Sequence, residues 1–172
     1  MNYLQNNTLR IRALEPTDLD FLHACENDAQ NWQTGTVHMP LSRYLLRQYL
    51  EQTSEDVFAC SQFKWAIVRQ DGAMVGLLDV FGIDHFHRRA EVGIFIEKSH
   101  RRQGYAAMAL SLLADYAKNY LGWHQLTAII AENNTASQQL FQKVGFVQSG
   151  VWKDFLRTPN GYEHALFYQL VL

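Results

Sequence analysis

Cysteine is scarce, with Cys25 and Cys60 the only two in 172 residues. That excludes a disulfide framework and reads as idle thiols in a reducing compartment. Proline is equally sparse at three residues, and no low-complexity tract, linker or internal repeat interrupts the chain. No apolar run approaches the length of a membrane span. The stretch Met1-Asn2-Tyr3-Leu4-Gln5-Asn6-Asn7 lacks the basic and apolar regions of a secretory signal. The expectation is a cytoplasmic chain with no membrane partner. A formal net charge of −2 removes any general reason to expect nucleic acid as a partner. Hydrophobic residues at 48% and aromatics at 13% argue against disorder. The length fits one domain over 1–172.

Periodicity then gives a mixed order of elements. Leu9 to Leu14 alternates apolar and basic residues as a half-buried strand does. Glu15-Pro16-Thr17-Asp18 starts a helix, with Glu15 or Thr17 as the cap. Ser42 caps a second helix running to about Gln52. Strands are expected over Phe63–Val68 and Met74–Phe81, joined by the turn Gln70-Asp71-Gly72, then a loop Gly82–Arg88 and a strand Arg89–Ile96. A long helix follows from Gly104 to Tyr120, stopped before Gly122. After it come a strand Leu126–Ala131 and a short helix Thr135–Val144. Two last strands flank Thr158-Pro159-Asn160-Gly161. Antiparallel hairpins followed by strand–helix–strand predict an α+β (mixed α/β) fold around one sheet.

The sharpest signal lies between Ile94 and Ala107. An apolar strand leads through a basic, glycine-bearing turn, Ser99-His100-Arg101-Arg102-Gln103-Gly104, into an apolar helix. Free backbone N–H groups and the helix dipole converge there, with two arginines, on a place suited to phosphate. The turn lacks the Gly-Lys-Ser/Thr ending of a Walker loop and the G-x-G-x-x-G of a dinucleotide fingerprint. Its pattern is Arg-x-x-Gly-x-Ala, on Arg101, Gly104 and Ala106. A second segment, Asn134-Thr135-Ala136-Ser137-Gln138-Gln139-Leu140-Phe141 through Gly145-Phe146, follows the strand Leu126–Ile130.

These two segments, in this order, resemble the Gcn5-related N-acetyltransferases, and Leu9–Asp18 resembles that family's opening strand and helix cap. Together they cover nearly the whole chain. The closest subgroup is the branch containing ribosomal-protein and spermidine/diamine acetyltransferases. The resemblance implies a mixed central sheet whose two parallel strands splay, with helices on both faces and the coenzyme in the gap. It implies acetyl-CoA as co-substrate and no metal. The backbone from Arg101 through Arg102, Gln103, Gly104 and Tyr105 to Ala106 would hold the pyrophosphate. The strand edge at Ile94, Phe95 and Ile96 would meet the pantetheine amides, and Asn134 would bond the same arm.

Amine acetylation needs a neutral nucleophile, whereas an alkylamine such as lysine, with pKa ~10.4, is protonated at neutral pH, so the site must remove a proton, often through water, or lower the amine pKa. Asp79 and Glu91 each interrupt an apolar run. Alternation alone could place either on a solvent face, while the resemblance implies that both strands face the acceptor cleft. Many relatives carry, where Phe141 stands, a tyrosine that protonates the departing thiolate; phenylalanine has no such donor. Ser137, one turn earlier, is the alternative donor. The loop Gln33–Met39 carries no carboxylate for a polycation, although Glu26 and Asp28 lie close in sequence. His85-Phe86-His87 has a spacing that can bind metal, but no Cys or carboxylate pattern completes a site. The main expectation is therefore an acetyl-CoA-dependent N-acetyltransferase acting on a small amine or a protein N-terminus. A homodimer is compatible with the sequence. A catalytically silent acyl-CoA-binding sensor is the alternative, kept open by Phe141.

Overall fold

A computed structural model describes residues 3–29, 39–51 and 61–172. Cys60, Trp32 and the loop Gln33–His38 lie outside them. In chain order the elements are β1 (Leu9–Ala13), a 3-10 turn Pro16–Asp18, α1 (Leu19–Glu26), α2 (Arg43–Glu51), β2 (Phe63–Arg69), β3 (Met74–Asp84) and β4 (Arg89–Ile96). After a 3-10 turn Lys98–His100 come α3 (Tyr105–Asn119), β5 (Gln125–Ala131), α4 (Thr135–Val144), β6 (Val147–Thr158) and β7 (Gly161–Val171). All strands join one seven-stranded sheet in the order β1-β2-β3-β4-β5-β7-β6.

The alternation seen in the sequence sorts side chains to two faces. On one face Ile67, Leu78, Val80, Val92, Leu126 and Tyr168 bury against Leu110 and Leu113 of α3 and Phe141 of α4. On the other, Ala66, Val68 and Leu77 bury against Leu22 of α1 and Leu46 and Leu50 of α2. The helices thus cover both faces, as expected. Each fully buried aliphatic chain contributes about 1.5–3 kcal/mol.

Local signals hold α1 and α2 in place. The Glu15 N–H donates to Asp18 Oδ2 at 2.7 Å, and Arg12 grips the same carboxylate at 2.6 and 2.9 Å. Burial pushes the Asp18 pKa up, but Arg12 outweighs it and leaves the group below its usual range. The chain therefore enters α1 through a short 3-10 turn rather than directly. The Leu45 N–H donates to Ser42 Oγ at 3.1 Å, the expected cap of α2.

One boundary differs from the sequence reading. β3 runs on to Asp84 where a loop from Gly82 was expected. A register shift between Phe81 and Asp84, with Gly82 at φ +57°, absorbs the irregularity and keeps the strand paired with β4.

The connection from β4 through α3 to β5 makes the single parallel pairing of the sheet. It is short: Arg89 pairs with Gln125, Ala90 with Leu126 and Glu91 with Thr127, and there it stops. Beyond Glu91, β4 keeps its antiparallel partners on β3 as far as Ile96. β5 keeps its partners on β7 as far as Ala131. The two strands part, leaving a fork with one unpaired edge on each side.

Candidate active site

Three features meet around this fork: a turn whose backbone N–H groups are unbonded among the described residues, two strand edges, and a carboxylate at the vertex.

The turn after β4 is contorted in the way anion nests are. Arg102 sits at φ +62° and Gly104 at φ +82°, both left-handed. Among the described residues, none of the backbone N–H groups from Arg102 to Ala107 donates a hydrogen bond, and the first bond of α3 runs from the Met108 N–H to the Gly104 carbonyl at 3.1 Å. These donors lie at the positive end of a long helix. The two arginines part company here. Arg102 is exposed beside the nest. Arg101 folds back instead: its Nε donates to the Ile96 carbonyl at 2.9 Å and its guanidinium lies 6.0 Å from the Phe95 ring centre. That posture ties the turn to the end of β4. Gln103 braces the turn through Nε2 to the Ser99 carbonyl at 3.2 Å, and Tyr105 and Ala106 form the first turn of α3, half-buried.

From Gly104 a groove of about 590 Å³ runs between α3 and α4, lined by Ala107, Met108, Ser111 and Lys143 among others. Lys143 escaped the sequence reading. Nothing local distinguishes it from a solvated helix lysine, and only the packing of α4 beside α3 turns it toward Gly104.

On the opposite lip of the fork, Asn134 caps α4, its Oδ1 accepting from the Ser137 N–H at 3.1 Å. Its Nδ2 makes no hydrogen bond among the described residues, and neither does the Ser137 hydroxyl. Phe141 turns away from solvent into the core, edge-on to Phe146 with ring centres 4.9 Å apart.

Glu91 stands at the vertex, in the last pair of the parallel seam and opposite Phe81 on β3. Beside it the Thr127 hydroxyl donates to the Ala90 carbonyl at 3.3 Å, buried, and pins the seam where it ends. Glu91 is half-buried, and among the described residues its carboxylate has no hydrogen-bond or ion-pair partner. Burial alone pushes its pKa up. Two residues along the strand, Gly93 leaves a notch in this sheet face. A Cβ there would touch Asp79 Cβ and the Phe81 ring, both at 3.6 Å. Asp79 borders the notch but is already engaged, with Lys64 Nζ at 3.2 Å from its Oδ1. The same ammonium binds Glu26 of α1. Burial raises the Asp79 pKa in spite of Lys64; for Lys64 the two carboxylates overcome burial and raise its pKa, so it keeps its proton.

His85 and His87 are exposed in the turn between β3 and β4. Among the described residues no group of three or more metal-ligating side chains comes together.

Comparison with known proteins agrees with this geometry. The acetyltransferase (GNAT) domain family matches residues 8–147, and the chain belongs to it. A spermidine N(1)-acetyltransferase of Escherichia coli K12 is 29% identical over 165 residues, covering 93% of this chain and 84% of the relative. A putative ribosomal N-acetyltransferase of Bacillus subtilis 168 is 29% identical over 172 residues, covering 97% and 92%. The crystal structure of spermidine N-acetyltransferase from Vibrio cholerae in complex with CoA and spermine superposes with a TM-score of 0.86 at 23% identity, covering 96% of each chain. The protein is thus an acetyl-CoA-dependent N-acetyltransferase, a reading supported over the silent-sensor alternative.

Proposed function

We propose that Glu91 is the base that frees the acceptor amine, and that the amine enters over Gly93 to meet the thioester at the vertex of the fork. The observation that carries this is an unpartnered, half-buried carboxylate of raised pKa at the last pair of the seam. Acetyl-CoA supplies an activated acetyl group, and the rest is done by the chain. The N–H groups from Arg102 to Ala107 hold the pyrophosphate, the edges at Ile94, Phe95 and Ile96 align the pantetheine arm, and the free Nδ2 of Asn134 bonds it from the other lip. Lys143, facing the groove that leaves Gly104, attends the nucleotide end. Glu91 takes the amine proton, directly or through one water. The new N–C bond forms as the C–S bond breaks, the attacking nitrogen gives up its second proton to solvent, and the Ser137 hydroxyl hydrogen-bonds the departing thiolate, which takes its proton from solvent. Phe141 shapes the pocket from within the core. Positioning of both substrates contributes much of the rate.

The acceptor is a small, flexible primary amine; relatives named for spermidine support that reading over a protein N-terminus. We place the enzyme in the cytoplasm, in keeping with a cysteine usage too sparse for a disulfide framework.

The test is Glu91→Gln, which keeps shape and removes the base. Turnover should fall about 10²–10⁴-fold. The acid limb of the wild-type pH–rate profile should flatten, because activity is lost as pH falls and Glu91 gains its proton. A carboxylate whose pKa is raised by folding costs stability above its unfolded pKa. The variant should therefore melt no lower than wild type at pH 8. Wild-type turnover and an unchanged acid limb would remove Glu91 from the role.

A further inference from the structure

Glu26 and Asp79 belong to elements far apart in sequence, yet both carboxylates converge on one point beside the acceptor notch. Such a pair suits the second ammonium of a diamine or polyamine whose first amine is being acetylated. That point is filled from within the fold. Lys64 of β2 lies across from Asp79 in the β2–β3 register, and its Nζ contacts both acids. Its side chain is only 16% exposed and that of Glu26 13%, while that of Asp79 is 33% exposed.

We propose that Lys64 is a specificity-determining residue that takes, as a tethered internal cation, the subsite a second ammonium of the acceptor would otherwise occupy. This rests on the reading of the Gly93 notch as the acceptor site. With Lys64 charged and bound to both acids, the contacts that would reward a second cation are already made. A tethered ammonium competes at high effective concentration and is not displaced by a dilute ligand. The substrate class that follows is primary amines whose remaining body is neutral, rather than polyamines gripped at two points. Tyr49 packs beside the cluster, its hydroxyl kept protonated by burial.

The experiment compares Michaelis constants for butylamine and 1,4-diaminobutane, which differ only in the second amine. Wild type should show the two within about threefold. Lys64→Met keeps the length and apolar stem and removes the charge. The two acids then lose the ammonium they share, and the diamine-to-monoamine KM ratio should fall about tenfold, since one well-placed charge contact of about 1.4 kcal/mol is a factor of ten. Lys64→Met could fail to fold once that shared ammonium is gone, so Asp79→Asn in the wild-type background is the second arm. With Lys64 already holding the subsite, Asp79→Asn should shift the ratio less than about threefold. A wild-type preference for the diamine of tenfold or more, an unchanged ratio in folded Lys64→Met, or a tenfold shift in Asp79→Asn would each overturn the proposal. Glu91→Gln, assayed with butylamine alone, reports separately on the acceptor-site reading: if it retains full turnover, that reading fails whatever the ratios show.

Discussion

Asn134 commits one end of its amide to the fold and leaves the other uncommitted, and substitution can separate the two. Asn134→Ala removes the cap that Ser137 N–H uses and should cost about 0.5–2 kcal/mol of stability. It also removes the donor proposed for the coenzyme arm. Asn134→Asp keeps an acceptor for the cap and loses the donor. We expect a lowered melting temperature only in the alanine variant and a raised KM for acetyl-CoA in both, read from thermal melts beside steady-state kinetics. An aspartate variant with wild-type KM would reduce Asn134 to a cap. Much at this scale was legible in the sequence: a carboxylate interrupting Ala90-Glu91-Val92 is conspicuous in any register. What could not be read was the company each acid keeps. Asp79 and Glu91 look alike as interruptions, yet one is bound to Lys64 and the other is bare. That difference arises only when β2 and α1 are laid beside β3, a matter of strand register and helix placement.

The turn from β4 into α3 shows what an element contributes beyond its side chains. Its donors point together because Arg102 and Gly104 are left-handed, and the Cβ of any residue at Gly104 would find ordinary room, 3.9 Å from Met108 Cε. A substitution there is therefore resisted by backbone conformation rather than by crowding. Gly104→Ala should lose about 1–2 kcal/mol of stability, the strain of a left-handed L-residue. Gly104→Asp adds a negative charge beside the phosphate position and should abolish acetyl-CoA binding measured by calorimetry. Equal affinity in the two variants would mean that the turn does not hold the phosphate. The motif Arg-x-x-Gly-x-Ala marked this element correctly, because glycine and the helix start are local signals. What the motif does not encode is that Arg101 reaches back to Ile96, a contact set by how the turn closes on β4. The end of β3 was misjudged for a related reason. Gly82 reads as a breaker, but a bulge lets a strand pass through it.

Across the whole molecule, the sheet consists of two well-paired parts, β1–β4 and β5-β7-β6, joined by three parallel residue pairs and the Thr127 hydrogen bond. A ligand that bonds both lips of the fork binds only when both parts are in place, so it should stabilise the native state strongly. At acetyl-CoA a hundredfold above its Kd the gain is about 2.7 kcal/mol. Hydrogen exchange should slow most at the unpaired edges, Val92–Ile96 and Ala128–Ala131. Protection confined to α3 would place the coenzyme elsewhere. The fold class was legible in the order of the periodic segments. The sequence was silent on where the parallel seam would stop, since Ile94–Ile96 and Ala128–Ile130 are as apolar and β-prone as any paired strand.

That short seam also has a mechanical meaning. The first strand lies at one outer edge of the sheet, and the last strand, β7, belongs to the part beyond the fork. Tension applied between the two ends of the chain must cross from one part to the other. Among the described residues, the sheet's parts are bridged by the short strip Arg89–Glu91 against Gln125–Thr127, with the His124 N–H donating to the Arg88 carbonyl at its end. The stoutly laddered hairpins on either side would hold while this strip took the load, so the molecule should part along the same line where the coenzyme is proposed to enter.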